Sequence, residues 1–112
     1  MKLYISGPMT GKKDLNEPAF RLAEGALKRA GYDVVVPHDN GLPKSATYIE
    51  HMRADIKMMM DCDGVATLRG FSDSNGSKIE ITLAGSLAIP VGEIQYWIES
   101  EHAYQIESVK GI

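Results

Sequence analysis

The sequence contains a single cysteine, Cys62, which excludes an internal disulfide and is typical of a protein in a reducing compartment. Cys62 stands between Asp61 and Asp63. Adjacent carboxylates raise the pKa of a thiol and discourage thiolate chemistry, so a structural role is favoured. No apolar run is long enough to span a membrane, and the first residues read as a strand and not as a secretory signal. We therefore expect a cytoplasmic protein with no membrane partner.

A strong charge of either sign is also lacking. The net charge of −3 provides no electrostatic surface for a nucleic-acid backbone, so we expect a small-molecule partner and no nucleic-acid polymer. With 44% hydrophobic residues and only five prolines, the chain is typical of a folded globular protein. Its 112 residues suffice for a single domain over residues 1–112, with a core over residues 2–91 and a docking tail over residues 92–112.

Short apolar segments alternate with longer helical patterns along the chain. The segments 2–6, 33–37 and 64–68 read as strands, and Ile89-Pro90-Val91 begins a fourth. Helices are predicted from near Asn16 to Gly31, from Ala46 to Met60, and from the Ser77 region to about Leu87. Because strands that alternate with helices form parallel sheets, we predict a three-layer α/β fold. It would be flavodoxin-like or Rossmann-like, with a parallel sheet of four to five strands and helices on both faces.

Helical spacing identifies the residues that are expected to face the core. In the first helix these are Ala19, Leu22, Ala23, Ala26, Leu27 and Ala30. In the second helix they are Ile49, Met52, Ile56, Met59 and Met60. The apolar residues of the tail predict a strand or helix that docks on this domain or on a second copy; they are Tyr96, Trp97, Ile98, Tyr104 and Ile106.

Three loops should meet at one edge of the predicted sheet. In parallel sheets, ligands bind beyond the carboxyl ends of the strands, so the loops 6–11, 38–45 and 70–77 are expected to surround one crevice. The turn-rich loop 38–45 is a candidate lid. The first loop lacks the glycine spacing of dinucleotide sites and the Gly-Lys-Ser/Thr ending of a P-loop, so NAD and nucleoside triphosphate sites are not expected.

Glu80 is a carboxylate on the inward face of the third helix. It shares that face with Leu83, Ala84 and Leu87, and burial of an ionised acid costs several kcal/mol unless the acid is paired or protonated. The small-residue loop before it offers hydroxyls and the free N–H groups of a helix start, which suit an anion such as phosphate. A purely structural alternative is a capping box, in which Ser77 and Glu80 tie off the start of the helix.

Two further candidates for the site, Asp55 and Tyr4, each admit two interpretations. Asp55 lies on the shoulder of the second helix and could reach the crevice, or it could be a surface acid paired with a nearby Lys or Arg. Tyr4 is either a core residue or a catalytic one. A metal site can be assembled on paper from Asp55, Asp61, Asp63 and Asp73, but the three histidines show no ligand spacing, so no metal is expected.

The chain resembles the nucleoside 2-deoxyribosyltransferase-like superfamily over about Leu3 to Val91. The resemblance is carried by Tyr4-Ile5-Ser6-Gly7, by Asp55 with Asp63 eight residues later, and by Ser74-Asn75-Gly76-Ser77-Lys78-Ile79-Glu80 followed by Ala84. Small phage and bacterial members are the most similar. The resemblance implies a homodimer or a higher homo-oligomer.

The resemblance also implies a role for each matching residue. Glu80 would be the nucleophile that attacks the anomeric carbon of a deoxyribosyl group, Tyr4 would orient it, and Asp55 would assist departure of the base. Ser74 stands where transferases of free nucleosides carry an Asp and where the 2'-deoxynucleoside 5'-monophosphate N-hydrolases carry a Ser. A hydroxyl can donate to a phosphate dianion that a carboxylate would repel, so a nucleotide substrate is favoured. The substrate and phosphate-binding residues would be Ser6, Gly7, Thr10, Ser74, Gly76 and Ser77.

We therefore expect an N-glycosidic hydrolase or transferase of 2'-deoxynucleoside 5'-monophosphates that needs no metal or organic cofactor. Two alternatives stay open. One is a nucleotide-binding module without turnover, which the capping-box interpretation and the unusual Lys78 favour. The other is a deoxyribosyltransferase of free deoxynucleosides.

Overall fold

A sheet of four parallel strands forms the centre of the protein in the computed structural model, which describes residues 1–100. The strands are β1 (Lys2–Ser6), β2 (Asp33–Val35), β3 (Gly64–Thr67) and β4 (Val91–Glu93), and their spatial order is β2-β1-β3-β4. Tyr4 of β1 lies opposite Val35 on one side and Val65 on the other. The predicted parallel α/β sheet is confirmed, with four strands in the described part of the chain.

Four helices cover the two faces of the sheet. Helices α1 (Glu17–Arg29) and α4 (Ile94–Glu99) pack on one face, and helices α2 (Tyr48–Met60) and α3 (Asn75–Ser86) pack on the other. Successive residues of a strand point to opposite faces, so Leu3 and Ile5 join the α1 side while Tyr4 joins the α2 side. Ser6 shares the Tyr4 face, and this alternation directs two hydroxyl groups of β1 towards α3.

The inward faces of α1 and α2 are rotated about the helix axes relative to the predicted faces. In α1, Leu22 is 77% exposed and Phe20 is fully buried, because the inner face follows Phe20, Ala23 and Leu27 at spacings of three and four. In α2, Ile49 is 62% exposed and Met60 is exposed at the end of the helix, while Met59 and Asp55 are buried. The predictions for Leu22, Ile49 and Met60 were therefore wrong.

Strand β2 is shorter than the predicted segment 33–37. It ends at Val35, and Pro37 begins a short 3₁₀ turn over Pro37–Asp39. Its residues Val34 and Val35 are half-buried, because β2 pairs only with β1 within residues 1–100 and forms an edge of the sheet there. The turn that follows it carries Asn40 to the same end of the sheet as the other two loops.

The described part of the tail packs on its own domain through α4. Trp97 is fully buried, its Nε1 donates to the Val65 carbonyl at 2.9 Å, and its own carbonyl accepts from the Tyr32 hydroxyl at 2.7 Å. The ring lies against Gly64, where an added Cβ would come within 2.7 Å of it. The tail residues Tyr104 and Ile106 lie outside the described residues. No helix within residues 1–100 has the length and apolar character needed to cross a membrane.

Candidate active site

The Glu80 carboxylate is held against β1 by two hydroxyl groups. The Tyr4 hydroxyl donates to Oε2 at 2.5 Å and the Ser6 hydroxyl donates to Oε1 at 2.7 Å. Glu80 is only 4% exposed, so both of its oxygens are fixed in a nearly dry environment. Tyr4 is fully buried and yet uses its polar end on Glu80, so it contributes both to the core and to the site.

Glu80 does not cap its own helix. The N-cap of α3 is Ser74, whose Oγ accepts from the Ser77 amide at 3.2 Å. The helix thus starts before Ser77, and this start leaves Glu80 in the second turn with its side chain turned towards the sheet. A true capping box does occur in α2, where Thr47 and Glu50 exchange hydrogen bonds of 2.9 and 3.1 Å. The capping-box interpretation of Glu80 was therefore wrong.

Burial makes Glu80 a weak acid. Loss of solvent raises its pKa to about 7, the hydrogen bonds from Tyr4 and Ser6 oppose this rise, and the charge of Asp55 adds to it. The pKa of Tyr4 is also raised, first by burial and then by the charges of Glu80 and Asp55. Tyr4 therefore stays protonated and acts as a donor, while Glu80 can change its charge near neutral pH.

Asp55 is the second buried carboxylate, at 6% exposure. Its Oδ1 accepts from Asn40 Nδ2 at 2.8 Å, and Asn40 Nδ2 lies 3.0 Å from His51 Nδ1. Burial raises the pKa of Asp55, and the Asn40 hydrogen bond and the nearby rings of His51 and His38 oppose that rise. Within residues 1–100, the ion pairs join Arg21 and Lys28 to other acids and none includes Asp55. Asp55 is therefore not a surface acid paired with Lys or Arg.

The two carboxylates line one cavity of about 700 Å³ at the carboxyl ends of the strands. Its wall comes from the three loops that follow β1, β2 and β3, from Tyr4 of β1, and from residues 48–55 of α2 and 75–80 of α3. The predicted site residues that line it are Tyr4, Gly7, Thr10, Asp55, Ser74, Gly76, Ser77 and Glu80. Ser6 is not part of the wall and reaches the site through its hydrogen bond to Glu80.

The N-terminus of α3 presents unused donors to this cavity. The Ser77 hydroxyl is buried, Ser77 is 1% exposed, and no residue in the described range 1–100 bonds its Oγ. The same range supplies no partner for the amides of Asn75 and Gly76, which precede the first intrahelical bond. Gly76 packs closely on α2, since an added Cβ would lie 3.2 Å from the Met52 sulfur. A helix start with free N–H groups and a free hydroxyl can bind an anion.

Sequence reasoning missed several residues of the cavity. Asn40 and His51 form the hydrogen-bonded group around Asp55, and Lys12 and Lys44 add positive charge to the wall. The only sequence signal for Asn40 was its position just after the second strand, where ligand loops begin.

The described residues contain no group of three or more metal-binding side chains. Cys62 is buried, and burial is the main reason that its pKa is raised to about 11.

Comparisons with known proteins agree with this architecture. The sequence model of a family described as a domain of unknown function (DUF4406) matches residues 1–93. The structure is similar to that of a 2-deoxyribosyltransferase from the psychrotolerant bacterium Bacillus psychrosaccharolyticus. The TM-score is 0.63 and the identity 20%, over 81% of this chain and 69% of the other. A comparison with curated proteins gave no match. The fold is therefore nucleoside 2-deoxyribosyltransferase-like.

Proposed function

The chain belongs to the DUF4406 family, and we propose that it cleaves the N-glycosidic bond of 2'-deoxynucleoside 5'-monophosphates with Glu80 as the nucleophile. The observation that carries the proposal is the position of the Glu80 carboxylate. It is buried in a cavity, held by Tyr4 and Ser6, and accompanied by a second buried carboxylate, Asp55. Most enzymes that hydrolyse glycosidic bonds use a pair of carboxyl groups in one site.

The reaction would proceed in two displacements. Glu80 attacks C1' of the sugar, the bond from C1' to the base nitrogen breaks, and the base takes a proton from Asp55. The resulting glycosyl ester on Glu80 is then attacked at C1' by water, which gives its proton to Asp55 and releases deoxyribose 5-phosphate. If a second base attacks in place of water, the same ester yields a transferase product.

The environments of the two acids support these roles. Hydroxyl donors on both oxygens of Glu80 favour its ionised form and aim it, while burial keeps it poorly solvated and therefore reactive. Burial raises the pKa of Asp55, which favours the protonated form that a general acid needs. The raised pKa of Glu80, about 7, predicts a loss of activity in acid, where the nucleophile is neutral.

The start of α3 supports a phosphorylated substrate. Ser77 has a buried hydroxyl without a partner among residues 1–100, and the amides of Asn75 and Gly76 are open in the same range. Ser74 accepts the Ser77 amide and keeps its own O–H for donation. Gly7 and Thr10 line the facing loop and complete the proposed phosphate site. A carboxylate at position 74 would repel the dianion, so a monophosphate is preferred to a free nucleoside.

One experiment tests the proposal directly. Purified protein is incubated with each 2'-deoxynucleoside 5'-monophosphate and with the matching free nucleosides, and released base is measured by chromatography. We expect release from at least one monophosphate and a loss of at least about 100-fold in Glu80→Gln. Glu50→Gln is the matched control, because Glu50 is a glutamate that does cap its helix and lies outside the cavity wall.

The outcomes separate the candidate functions. Base release that survives Glu80→Gln would remove Glu80 as nucleophile. Binding of a monophosphate without base release over hours would favour a non-catalytic nucleotide-binding module, a role that the partly neutral Glu80 also allows. Exchange of bases between free deoxynucleosides would reassign the protein as a nucleoside transferase.

A further inference from the structure

Asn40 connects two cavity side chains that lie on a different element. Its Nδ2 donates to Asp55 Oδ1 at 2.8 Å and lies 3.0 Å from His51 Nδ1, both on α2. Its Oδ1 accepts from the Leu42 amide at 2.9 Å. Both amide hydrogens and the amide oxygen are thus engaged inside the protein. Both donor hydrogens of Asn40 are therefore committed to its neighbours, and its oxygen already accepts one hydrogen bond.

A backbone group determines the orientation of this amide. The Leu42 N–H can only donate, so the atom of Asn40 that faces it must be the oxygen. The nitrogen then faces Asp55 and His51 and offers one hydrogen to each. His51 Nδ1 therefore has to accept, and a neutral His51 carries its proton on Nε2.

From this arrangement we infer that Asn40 is a positioning residue. It orients Asp55 for proton transfer to the leaving base, and it holds His51 as an Nε2–H donor to the cavity; the inference rests on the proposed function. Because Asp55 Oδ1 already accepts the amide hydrogen, the acidic proton belongs on Oδ2, which bonds no residue in the range 1–100. His51 also lines the cavity, and its Nε2 has no partner within that range.

The turn that carries Asn40 is braced from α1. Arg21 makes two hydrogen bonds to the Asp39 carboxylate, at 2.7 and 2.8 Å, and a further ion pair to Glu17 at 3.0 Å. The backbone N–H of Asn40 donates to the Pro37 carbonyl at 3.1 Å and closes the 3₁₀ turn. These contacts limit the motion of Asn40. Its side-chain amide can therefore hold the Asp55 carboxyl group in one orientation.

Removal of Asn40 should slow the departure of the base, which takes a proton from Asp55. The carboxyl of Asp55 would remain, but without a donor on Oδ1 it could rotate, and general acid catalysis depends on alignment with the base. A base that already carries a positive charge leaves without protonation. N7-methylation of guanine supplies such a charge, so departure of the methylated base should be insensitive to Asn40.

The kinetic test compares 2'-deoxyguanosine 5'-monophosphate with its N7-methyl derivative. We expect Asn40→Ala to lower kcat/KM, which reports the steps up to departure of the base, by about 10–100-fold on the first substrate and by less than about threefold on the second. Gln95→Ala is the matched control, because Gln95 makes an amide-to-carboxylate hydrogen bond of 2.7 Å to Glu99 on α4, outside the cavity wall. Equal losses on both substrates would overturn the positioning role.

A second test does not need catalysis. The tautomer of His51 is read from its side-chain nitrogen chemical shifts in mildly alkaline solution. The signals are assigned by their loss in His51→Gln. We expect Nε2–H in the wild type and in Gln95→Ala, a mixture of tautomers in Asn40→Ala, and a shift to Nδ1–H in Asn40→Asp. That last variant keeps an oxygen for Leu42 but turns the donor that faces His51 into an acceptor.

The two tests distinguish the inference from the function on which it rests. If the tautomers change as expected but no base is released, the Asn40 arrangement stands and the proposed function fails. If base is released while Asn40→Ala leaves both kcat/KM and the His51 tautomer unchanged, the proposed function stands and the inference is refuted. Should Asn40→Ala be unstable, the wild-type tautomer still tests the arrangement, because Nδ1–H in wild-type His51 would refute the inference.

Discussion

The Tyr4 hydroxyl donates to the Glu80 carboxylate across 76 residues of sequence, at 2.5 Å. This bond joins the central strand β1 to α3 at the bottom of the cavity, and Ser6 repeats it on the other carboxylate oxygen. The two hydroxyl groups orient the Glu80 carboxylate and, as hydrogen-bond donors, favour its ionised form. The properties of that pair lead to the first two predictions.

Tyr4→Phe should weaken the nucleophile. The Tyr4 hydrogen bond lowers the pKa of Glu80, so its loss should raise that pKa further above about 7 and move the acid limb of the kcat/KM profile to higher pH. We expect activity near neutral pH to fall by about 10–100-fold. Tyr32→Phe is the control, since it removes another buried hydroxyl bond, to the Trp97 carbonyl. An unshifted profile in Tyr4→Phe would contradict the role of Tyr4.

Glu80→Gln should make the protein more stable in alkaline solution. Burial raises the pKa of Glu80 from an ordinary 4.5 to about 7, so the folded state binds more protons than the unfolded state between those values. Stability is then fully present below about pH 4.5 and declines as the pH rises through about 7, by an amount of the order of 3 kcal/mol. The neutral amide removes this decline.

Urea unfolding at about pH 4 and pH 8 measures this effect. Glu80→Gln should exceed the wild type at the higher pH and lose that advantage at the lower one. Glu50→Gln should be less stable than the wild type at neutral pH. The backbone hydrogen bond at Thr47 lowers the pKa of Glu50, so the charge of Glu50 is stabilising. Equal pH dependence in the wild type and Glu80→Gln would argue against a buried, charge-bearing Glu80.

Gly7→Ala should destabilise the fold beside the cavity. An added Cβ would come within 2.8 Å of Leu68 Cβ, a distance that requires the loops after β1 and β3 to move apart. We expect a loss of about 1–3 kcal/mol in the free energy of unfolding. Gly85→Ala is the contrasting variant, because nothing lies within 4 Å of its Cβ position in α3, and it should gain about 0.5–1 kcal/mol. Thermal or urea unfolding of the two variants gives the comparison.

Ser77→Ala should separate phosphate binding from stability. The hydroxyl is buried without a partner among residues 1–100, so its removal should leave the free protein equally stable or slightly more so. If it donates to phosphate, the Kd for a 2'-deoxynucleoside 5'-monophosphate should rise about tenfold or more, while the Kd for the free nucleoside should not change. Calorimetric titration measures both.

The control for this variant is Ser86→Ala on the same helix. Ser86 is exposed and bonds only the Thr82 carbonyl one turn earlier. It should change neither affinity. A Ser77→Ala protein that binds the monophosphate as tightly as the wild type would exclude Ser77 from the phosphate site.

Several features of the fold were predictable because they depend on local pattern. The alternation of short apolar segments with helical spacing predicted a parallel sheet, and the sheet has four parallel strands. The phase of each helix was harder to predict. Leu22 and Ile49 fit an apolar period and are nevertheless exposed, because Ala-rich and Met-rich stretches allow more than one inward face and packing on the sheet selects among them.

The meeting of the loops around one cavity was predictable, but the hydrogen bonds between them were not. Glu80, Asp55 and the residues 74–77 at the start of α3 line this cavity, and all were candidates in the sequence. Asn40 and His51 were missed, because their hydrogen bonds span 15 and 11 residues and join a loop to a helix. No local spacing encodes such a contact.

The sequence by itself determined which residues could form strands and helices, and hence that three loops would meet at one edge of a sheet, since period and composition act between near neighbours. Only the tertiary structure decided whether Glu80 would tie off its own helix or face β1. The two arrangements are equally compatible with the local sequence around Ser77. The start of α3 at Asn75, and the two hydroxyls that β1 presents to the helix, exist only once strand and helix are packed together, and they direct the carboxylate into the cavity.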